Sequence, residues 1–438
     1  MTNVRYLLVG GGITNLAFAQ RIADDNYLIC EALDDVGGYC QTVRQDGFVW
    51  DYSGHFFHFR HKEIEDMLVS RIGRENVRTV TKDSRIRYKD AWVDFPFQKN
   101  IHQLPHEDFV DCLVGLFEKD DAKSPDNFEA MLYQKFGKGI SERFLVPYNE
   151  KLYATSLSAL DVNAMGRFFP HADLRDIVLN FRNSDNASYN STFTYPRGGA
   201  IEYVRALQQD VPQENIALRE PVLEIDLHNR TARTPQRTIR FESLISSVPF
   251  PKLLAMTGLD HDPDVYSYNK VLVFNLGFDR KGPRGVHWVY FPERDVVFYR
   301  IGFYDNIFDT DRMSMYVEIG YPSDHEVTEA EIAASLERVL EDLRRQGIVT
   351  DQQLVSHHSI VLDPAYVHIT GESVIDVDEK MSILATRGIH SIGRYGAWTY
   401  CSIEDNILEA RALADRFNAL PRRRQLRSVR TPGLAVAT

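Results

Sequence analysis

Near its amino terminus the chain reads Val4-Arg5-Tyr6-Leu7-Leu8-Val9-Gly10-Gly11-Gly12-Ile13-Thr14-Asn15. The apolar run that ends at Val9 predicts a buried strand, and residues 13–23 predict a helix. Between them, three glycines let the backbone turn tightly and approach an anion at the amino terminus of the helix. A second short apolar strand follows at Tyr27–Cys30. This β-α-β unit is typical of dinucleotide binding.

Two further features indicate which dinucleotide is bound. Glu31 follows the second strand, nineteen residues after Gly12, where a carboxylate accepts both ribose hydroxyls. Gly37-Gly38 comes six residues after Glu31 and lets the loop pass close to the cofactor, a pattern typical of FAD enzymes of the glutathione-reductase type. Asn15 stands where the third glycine of G-x-G-x-x-G is expected, so we expect the helix to lie slightly further from the strand. The sequence therefore predicts FAD as the cofactor, against the alternative of an ordinary glycine loop.

Composition restricts the partners and the compartment. The 438 residues carry a net charge of -12, which disfavours nonspecific binding to nucleic acid or to an anionic membrane. Any anionic substrate must then be met by locally placed arginines. The four cysteines form no C-x-x-C pair, so neither a disulfide framework nor a zinc site is predicted. Because no apolar run is long enough to cross a bilayer, we expect a cytoplasmic protein.

The fold class expected from these patterns is α/β. A Rossmann-like FAD-binding domain should carry an inserted helical domain and a substrate domain built on a twisted antiparallel sheet. Residues 85–97 predict a hairpin that turns at Lys89-Asp90, residues 222–227 and 238–248 predict strands that return to the nucleotide-binding sheet, and Pro147 should kink or split a helix over residues 140–152. The expected division is residues 1–85 (first part of the FAD domain), 86–180 (helical and substrate insertion), 181–250 (sheet and return to the FAD domain), 251–385 (substrate-binding sheet), 386–418 (last part of the FAD domain) and 419–438 (disordered basic tail).

Three other segments carry candidate chemistry. His55, His58 and His61 are spaced for one helical face, but aromatic neighbours surround them and no metal site is predicted. We expect His55 instead to pack its backbone against the flavin. The remaining two segments place arginine among aromatic residues, and they read Tyr290-Phe291-Pro292-Glu293 leading to Phe298-Tyr299-Arg300, and Gly393-Arg394-Tyr395-Gly396-Ala397-Trp398-Thr399-Tyr400. Arginine among aromatics suits a buried diphosphate beside a sugar, although stacking for packing alone remains the alternative.

These residues resemble the UDP-galactopyranose mutases, especially their eukaryotic and fungal-type branch. The similarity extends to about Phe417, and it also includes Trp92-Val93-Asp94-Phe95-Pro96-Phe97-Gln98-Lys99-Asn100-Ile101, Pro147-Tyr148-Asn149-Glu150-Lys151-Leu152-Tyr153-Ala154 and Tyr195-Pro196-Arg197-Gly198-Gly199. The resemblance implies a flavin-dependent isomerase that interconverts pyranose and furanose forms of a nucleoside-diphosphate sugar. In that family NAD(P)H or another reductant first reduces the flavin. Its N5 then forms an adduct with the sugar and expels the diphosphate, without net redox change.

The resemblance also implies roles for individual residues. His55 would stabilise reduced flavin, and Arg167 and Arg300 would clamp the diphosphate, so these three are the expected catalytic residues. The cofactor contacts implied by the motifs and the resemblance are Gly10, Gly12, Thr14, Glu31, Gly37, Gly38, Gly54, His55, Gly393 and Arg394. The implied substrate contacts are Phe97, Gln98, Asn149, Tyr153, Arg167, Asn190, Trp288, Tyr290, Arg300, Tyr366 and Tyr400.

Alternatives stay open at this point. Phe95 stands where the family has a tyrosine at the uracil, so a GDP- or dTDP-linked sugar is an alternative to a UDP-linked one. The run Cys401-Ser402-Ile403-Glu404-Asp405-Asn406 also departs from the family pattern near the flavin or sugar. An FAD-dependent amine oxidase or desaturase is the alternative enzyme, and a flavin-binding protein without turnover is a third interpretation. The sequence leaves open whether the chain assembles into homo-oligomers.

Overall fold

A computed structural model describes residues 1–120, 122, 124–182, 186 and 191–419. Asn190 and residues 420–438 of the predicted tail lie outside the described residues. The strands are β1 (Thr2–Val9), β2 (Tyr27–Cys30), β3 (Thr42–Gln45), β4 (Phe48–Asp51), β5 (Val77–Thr81), β6 (Ser84–Tyr88), β7 (Ala91–Asp94), β8 (Thr192–Pro196), β9 (Ile216–Ala217), β10 (Glu224–Asp226), β11 (Thr231–Arg233), β12 (Thr238–Ser246), β13 (Tyr268–Phe278), β14 (Trp288–Tyr290), β15 (Arg300–Phe303), β16 (Ser314–Pro322), β17 (Leu354–Val367) and β18 (Ile389–Ser391). The helices are α1 (Ile13–Arg21), α2 (Lys62–Ile72), α3 (His106–Glu118), α4 (Phe128–Ile140), α5 (Val146–Tyr153), α6 (Leu174–Asn180), α7 (Ile201–Gln208), α8 (Phe250–Thr257), α9 (Asp305–Phe308), α10 (Glu329–Arg345), α11 (Gly371–Thr386), α12 (Gly393–Gly396) and α13 (Ile403–Ala419).

The first sheet is the predicted nucleotide-binding sheet. Its strand order is β10-β11-β12-β1-β2-β9, and β18 pairs with β12. The central strand β1 runs parallel to both β2 and β12. The apolar residues of β1 and β2 are buried on both faces of the sheet. On one face α1, α7 and α13 pack over the strands, with Leu16 and Leu413 in the shared core, and on the other face α8 contributes Phe250 and Leu253. The predicted β-α-β unit and the return of the later strands to this sheet are confirmed.

The second sheet has the strand order β17-β13-β16-β15-β14-β6-β7. Its pairs are antiparallel except for β14 and β6, which run parallel with Trp288 opposite Ser84. The predicted hairpin is confirmed, because β6 and β7 pair on either side of a turn at Lys89 and Asp90. This hairpin forms the edge of the second sheet, so residues 84–94, most of which we expected in the helical insertion, belong to this sheet. The mixed α/β fold class is thus the expected one, and the division into domains remains a proposal.

The helices α3 to α6 form the insertion between the hairpin and β8. Helix α4 bends at Gly137, where φ is +69° and a Cβ atom would lie 2.0 Å from the carbonyl oxygen of Gly115. The helix expected over residues 140–152 widens into a π-helical turn, Ser141–Leu145, and continues as α5, which has Pro147 in its first turn. The backbone stays helical at Leu145 and Val146, so the predicted split does not occur. The missing proline hydrogen bond is accommodated by the π-helical turn. Over the described residues, no helix is both long and apolar enough to span a bilayer.

Candidate active site

One large cavity, of about 980 Å³, is lined by residues from the glycine turn, from helix α5 and from the second sheet. This volume lies at the upper end of the ~300–1,000 Å³ that is usual for ligand sites. The predicted site residues that line it are Gly10, Gly12, Thr14, Glu31, Gly37, Gly38, Gly54, His55, Asn149, Trp288, Tyr290, Arg300, Tyr366, Arg394 and Tyr400. The fold therefore brings the expected cofactor motif and most of the expected substrate contacts to one space.

The glycine turn leaves the amino terminus of α1 open to the cavity. Gly10 has φ of +95°, a conformation that favours glycine, and a Cβ atom on Gly12 would meet no atom within 4 Å. Asn15 is fully buried, and its Nδ2 donates to the carbonyl oxygens of Val9 and Gly10 at 3.0 and 2.8 Å. A side chain at the position of the third glycine thus hydrogen-bonds to the end of β1.

Glu31 and the loop after it fit the ribose end of FAD. The Glu31 carboxylate accepts hydrogen bonds from the backbone N–H groups of Gly11 and Leu33 at 2.6 and 2.8 Å. Each carboxylate oxygen retains lone-pair capacity for a ribose hydroxyl. Gly38, with φ of +56°, lies against Gly12, so both loops approach the same space. The exposed start of α1, the open glycine turn and the Glu31 carboxylate together suit FAD.

His55 lies at the junction between the cofactor motif and the second sheet. Gly54 packs so closely on Tyr316 that a Cβ atom would come within 2.5 Å of the Tyr316 hydroxyl oxygen. Burial lowers the pKa of His55 to about 4, so its imidazole is neutral at pH 7. The Nδ1 atom of His55 is buried and has no hydrogen-bond partner among the described residues. Across those residues, no group of three His, Cys, Asp or Glu side chains is placed to hold a metal.

Arg300 enters the cavity from β15 and is oriented by a carboxylate. Its Nε and Nη2 donate to the two oxygens of Glu318, at 2.6 and 2.9 Å, in a bidentate pair. Glu318 is 1% exposed and also accepts a hydrogen bond from Ser53 Oγ. A bidentate salt bridge of this kind fixes the plane of the guanidinium group. Arg300 therefore faces the cavity in a defined orientation.

A second arginine lies among tyrosines at the same cavity. The Arg394 guanidinium carbon is 4.5 Å from the ring centroid of Tyr400 and 5.2 Å from that of Tyr366. These two rings stack on each other at 5.9 Å. The Nε atom of Arg394 is buried without a hydrogen-bond partner among the described residues, which leaves a donor available to an anionic or polar ligand.

Six predicted site residues lie outside the cavity lining or outside the described residues. Phe97 stacks on Phe144 at 4.9 Å and lies one layer behind the wall. The Gln98 amide donates to the carbonyl oxygen of Pro170, and Tyr153 is 1% exposed. Arg167 is not part of the cavity lining and pairs instead with Asp405. Gly393 packs on Thr14 behind the cavity lining, and Asn190 lies outside the described residues.

Three residues that the fold brings to this region are not among those predicted from the sequence. Glu318 is the lone acid in the apolar strand β16, a pattern that could have indicated a buried ion pair. Tyr148 lines the cavity from α5, within a segment that was already singled out for Asn149. Lys82 places its Nζ atom 4.8 Å from the ring centroid of Phe95 and 5.6 Å from that of Trp288. Burial lowers the pKa of Lys82 to about 7.

Comparisons with known proteins agree with this architecture. The family described as flavin containing amine oxidoreductase matches residues 16–370. A probable UDP-galactopyranose mutase of Klebsiella pneumoniae is 22% identical over 230 residues, which is 50% of this chain and 56% of that protein. The chloroplastic protoporphyrinogen oxidase 1 of Spinacia oleracea is 25% identical over 179 residues, 36% of this chain and 30% of that protein. The chain thus spans 30% and 56% of the length of these two curated relatives.

Structural similarity extends over nearly the whole chain. A crystal structure of reduced UDP-galactopyranose mutase superposes with a TM-score of 0.87 at 24% identity, covering 95% of this chain and 94% of the other. This confirms, at the level of the fold, the resemblance that the sequence motifs indicated. The family match covers most of the chain, and the glycine turn and Glu31 are in place, so the cofactor is FAD and the protein is a flavoenzyme. The chain belongs to the flavin-containing amine oxidoreductase family.

Proposed function

We propose that this flavoenzyme is a mutase that interconverts the pyranose and furanose forms of a nucleoside-diphosphate sugar. The observation that carries the proposal is the pair of arginines, Arg300 and Arg394, facing one cavity with Tyr366 and Tyr400. Guanidinium groups pair with phosphate oxygens, and the stacked tyrosines add hydroxyl donors and an aromatic wall. A protonated amine substrate would carry the same charge as Arg394, for which no salt-bridge partner is found among the described residues, whereas the charge of Arg300 is balanced by Glu318.

In the proposed reaction Arg300 stabilises the leaving diphosphate. As the bond between the anomeric carbon and the phosphate oxygen breaks, negative charge grows on the diphosphate. A guanidinium already oriented by Glu318 meets that charge without reorganising, which lowers the barrier. Trp288 Nε1 donates to the Tyr290 hydroxyl at 2.7 Å, so this aromatic wall also holds a fixed shape.

FAD, when bound in its reduced form, supplies the nucleophile for this isomerisation, with NAD(P)H or another reductant as the proposed electron source. The neutral imidazole of His55 lines the space where the nucleotide motif meets the sugar pocket. We assign to His55 the positioning of the reduced cofactor, and to Asn149 a polar contact with the sugar.

The nucleotide base of the substrate is proposed to be uracil, with guanine and thymine as alternatives. Phe95 packs at 4.9 Å on Tyr290, at an angle of 32°, and both rings line the cavity. Phenylalanine offers a stacking surface but no hydroxyl, so this wall tolerates more than one base. Phe97 and Gln98 would contact a base only if the wall in front of them shifts.

The direct test is to reduce the FAD-bound protein with dithionite under anaerobic conditions and to supply UDP-, GDP- and dTDP-linked hexopyranoses. Chromatography should detect a furanose product from one of them, without consumption of reductant per turnover. The matched control is the oxidised protein, which should give no product.

The alternative enzyme, an FAD-dependent amine oxidase or desaturase, makes an opposite prediction. It would form hydrogen peroxide in proportion to substrate consumed, starting from oxidised protein and an amine or apolar substrate. Peroxide formation with an amine, together with the absence of any furanose product from reduced protein, would contradict the mutase proposal.

A further inference from the structure

Arg167, for which the family resemblance implies a contact with the diphosphate, does not line the cavity. It lies on the single helical turn Gly166–Phe168, and its Nη2 atom is 2.5 Å from Oδ2 of Asp405. Its guanidinium carbon lies 4.2 Å from the ring centroid of Phe168. Phe168 lines the cavity, whereas 36% of the Arg167 side chain is exposed. The backbone therefore brings Arg167 to the rim, while a carboxylate holds its side chain on the outer side.

Asp405 can release Arg167 without losing its other contacts. Its Oδ1 atom accepts a hydrogen bond from Nη2 of Arg60 at 2.9 Å. Its Oδ2 atom accepts from the backbone N–H and the hydroxyl of Ser402, each at 2.8 Å, at the start of α13. If Arg167 leaves, the carboxylate still has a cation and two neutral donors. A partly exposed ion pair is worth only ~0–1 kcal/mol, so a diphosphate, which carries more charge, can compete for the arginine.

The turn that carries Arg167 has room to move. Gly166 has φ of +48°, and a Cβ atom there would meet nothing within 4 Å. A small void of about 80 Å³ lies beneath the turn, bounded by Met131, Lys135, Phe169 and His171. On the inner side, the Phe168 ring meets the Tyr400 ring edge-on at 5.0 Å. The Phe168 ring thus contacts Arg167 on one side and Tyr400 of the cavity on the other.

We propose that Asp405 is a positioning residue that holds Arg167 out of the cavity until a nucleoside diphosphate displaces it. This inference rests on the proposed function. The Asp405 carboxylate pairs with Arg167 while no phosphate group is bound. Substrate binding therefore exchanges one anionic partner of Arg167 for another. The exchange lowers the affinity for the diphosphate, and it gives Arg167 an alternative partner when the nucleotide leaves.

The experiment is a double-mutant cycle on the FAD-bound, reduced protein. Dissociation constants for UDP, GDP and dTDP are measured by calorimetry for wild type, Asp405→Asn, Arg167→Gln and the double variant. Asp405→Asn retains an oxygen that accepts from Ser402 but removes the charge that holds Arg167. We expect it to tighten diphosphate binding by about twofold to fivefold, the range of a partly exposed ion pair. In the Arg167→Gln background the same substitution should change nothing.

A second variant tests the same pair without touching the cap of α13. Arg60→Gln removes the other cation from Asp405, so Asp405 should hold Arg167 more firmly and diphosphate binding should weaken. Two results would overturn the inference: Asp405→Asn changes diphosphate binding equally with and without Arg167, or it changes nothing. If diphosphate binding still depends on Arg300, the proposed function is unaffected by either result. If no nucleoside diphosphate binds to any form, the proposed function itself fails, and this inference with it.

Discussion

At the scale of single residues, the proposed activity depends most on Arg300. Its bidentate pair with Glu318 orients the guanidinium, and truncation would remove a charge-assisted contact to phosphate. We expect Arg300→Ala to keep its FAD, because Glu31 and the glycine turn are untouched. Its kcat/KM for isomerisation should fall roughly thirtyfold or more, which corresponds to the ~2–5 kcal/mol of a truncated buried charge contact. Steady-state kinetics with reduced protein measures this.

Two further variants separate the role of Arg300 from a general loss of charge. Arg280 is an exposed arginine that pairs with Asp351 at 2.8 Å, and Arg280→Ala should leave kcat/KM unchanged. Glu318→Gln keeps the size of the side chain but removes its charge, so Arg300 would lose its fixed orientation and kcat should fall more than KM rises. Near-normal kcat/KM in Arg300→Ala with flavin bound would contradict the role assigned to Arg300.

At the scale of secondary structure, helix α5 is held in place by Lys151. The Lys151 ammonium donates to the carbonyl oxygens of Phe291, Glu293 and Phe298 at 2.9, 3.0 and 2.6 Å. These carbonyls belong to the loop between β14 and β15, so one side chain joins the helix to the second sheet. Lys151→Met should leave partly buried carbonyls unsatisfied and lower the free energy of unfolding by roughly 2–4 kcal/mol.

The same substitution should affect the site, because α5 also carries Asn149 into the cavity. We expect the KM for the nucleotide sugar to rise in Lys151→Met while FAD stays bound. Urea unfolding and steady-state kinetics check the two effects. Lys138→Met is the matched control, since Lys138 is 76% exposed and only weakly paired with Glu142. Equal stabilities of the Lys151 and Lys138 variants would show that Lys151 does not hold the helix.

At the scale of the whole molecule, Asp51 on β4 links its hairpin partner β3 to β8, to the start of α7 and to the second sheet. Its carboxylate accepts from Thr42 Oγ1, from the backbone N–H of Ala200 and from the Tyr195 hydroxyl. Its backbone carbonyl oxygen accepts from Asn275 in the second sheet at 2.9 Å. Burial raises the pKa of Asp51 to about 6 in the folded protein, above the ~3.9 of an unfolded chain.

This pKa difference predicts a specific dependence of stability on pH. Below about pH 4 Asp51 is protonated in both states, and its full contribution to stability is present. As pH rises from there to the folded pKa near 6, Asp51 loses its proton more readily in the unfolded state. The free energy of unfolding therefore falls by roughly 3 kcal/mol over this range. Between pH 4 and about 6.5, wild type should therefore lose stability relative to Asp51→Asn, which does not titrate. Thermal midpoints of both FAD-bound proteins across this range measure the gap, and a gap independent of pH would refute the assignment.

The local pattern of residues was enough to predict the nucleotide-binding unit and its cofactor. A strand, a glycine turn, a helix and an acid lie within residues 4–31. The contacts that we expect them to make with FAD use backbone N–H groups and one carboxylate, whose positions follow from short-range geometry. The resemblance of the longer motifs likewise predicted the overall fold. Asn15 shows the limit of such reasoning, because its hydrogen bonds to the carbonyl oxygens of Val9 and Gly10 follow from tertiary packing rather than from the glycine pattern.

The direction of the charged side chains in the site depended on contacts between segments that are far apart in the chain. Glu318 pairs with Arg300 because β15 and β16 are neighbouring strands. Arg394 lies on α12, after the last strand of the first sheet, and meets Tyr366 on β17 of the second sheet. Arg167 meets Asp405, 238 residues away, instead of lining the cavity. The direction of a long, flexible side chain depends on the partners that tertiary folding places around it. Those partners cannot be predicted from the spacing of residues along the chain.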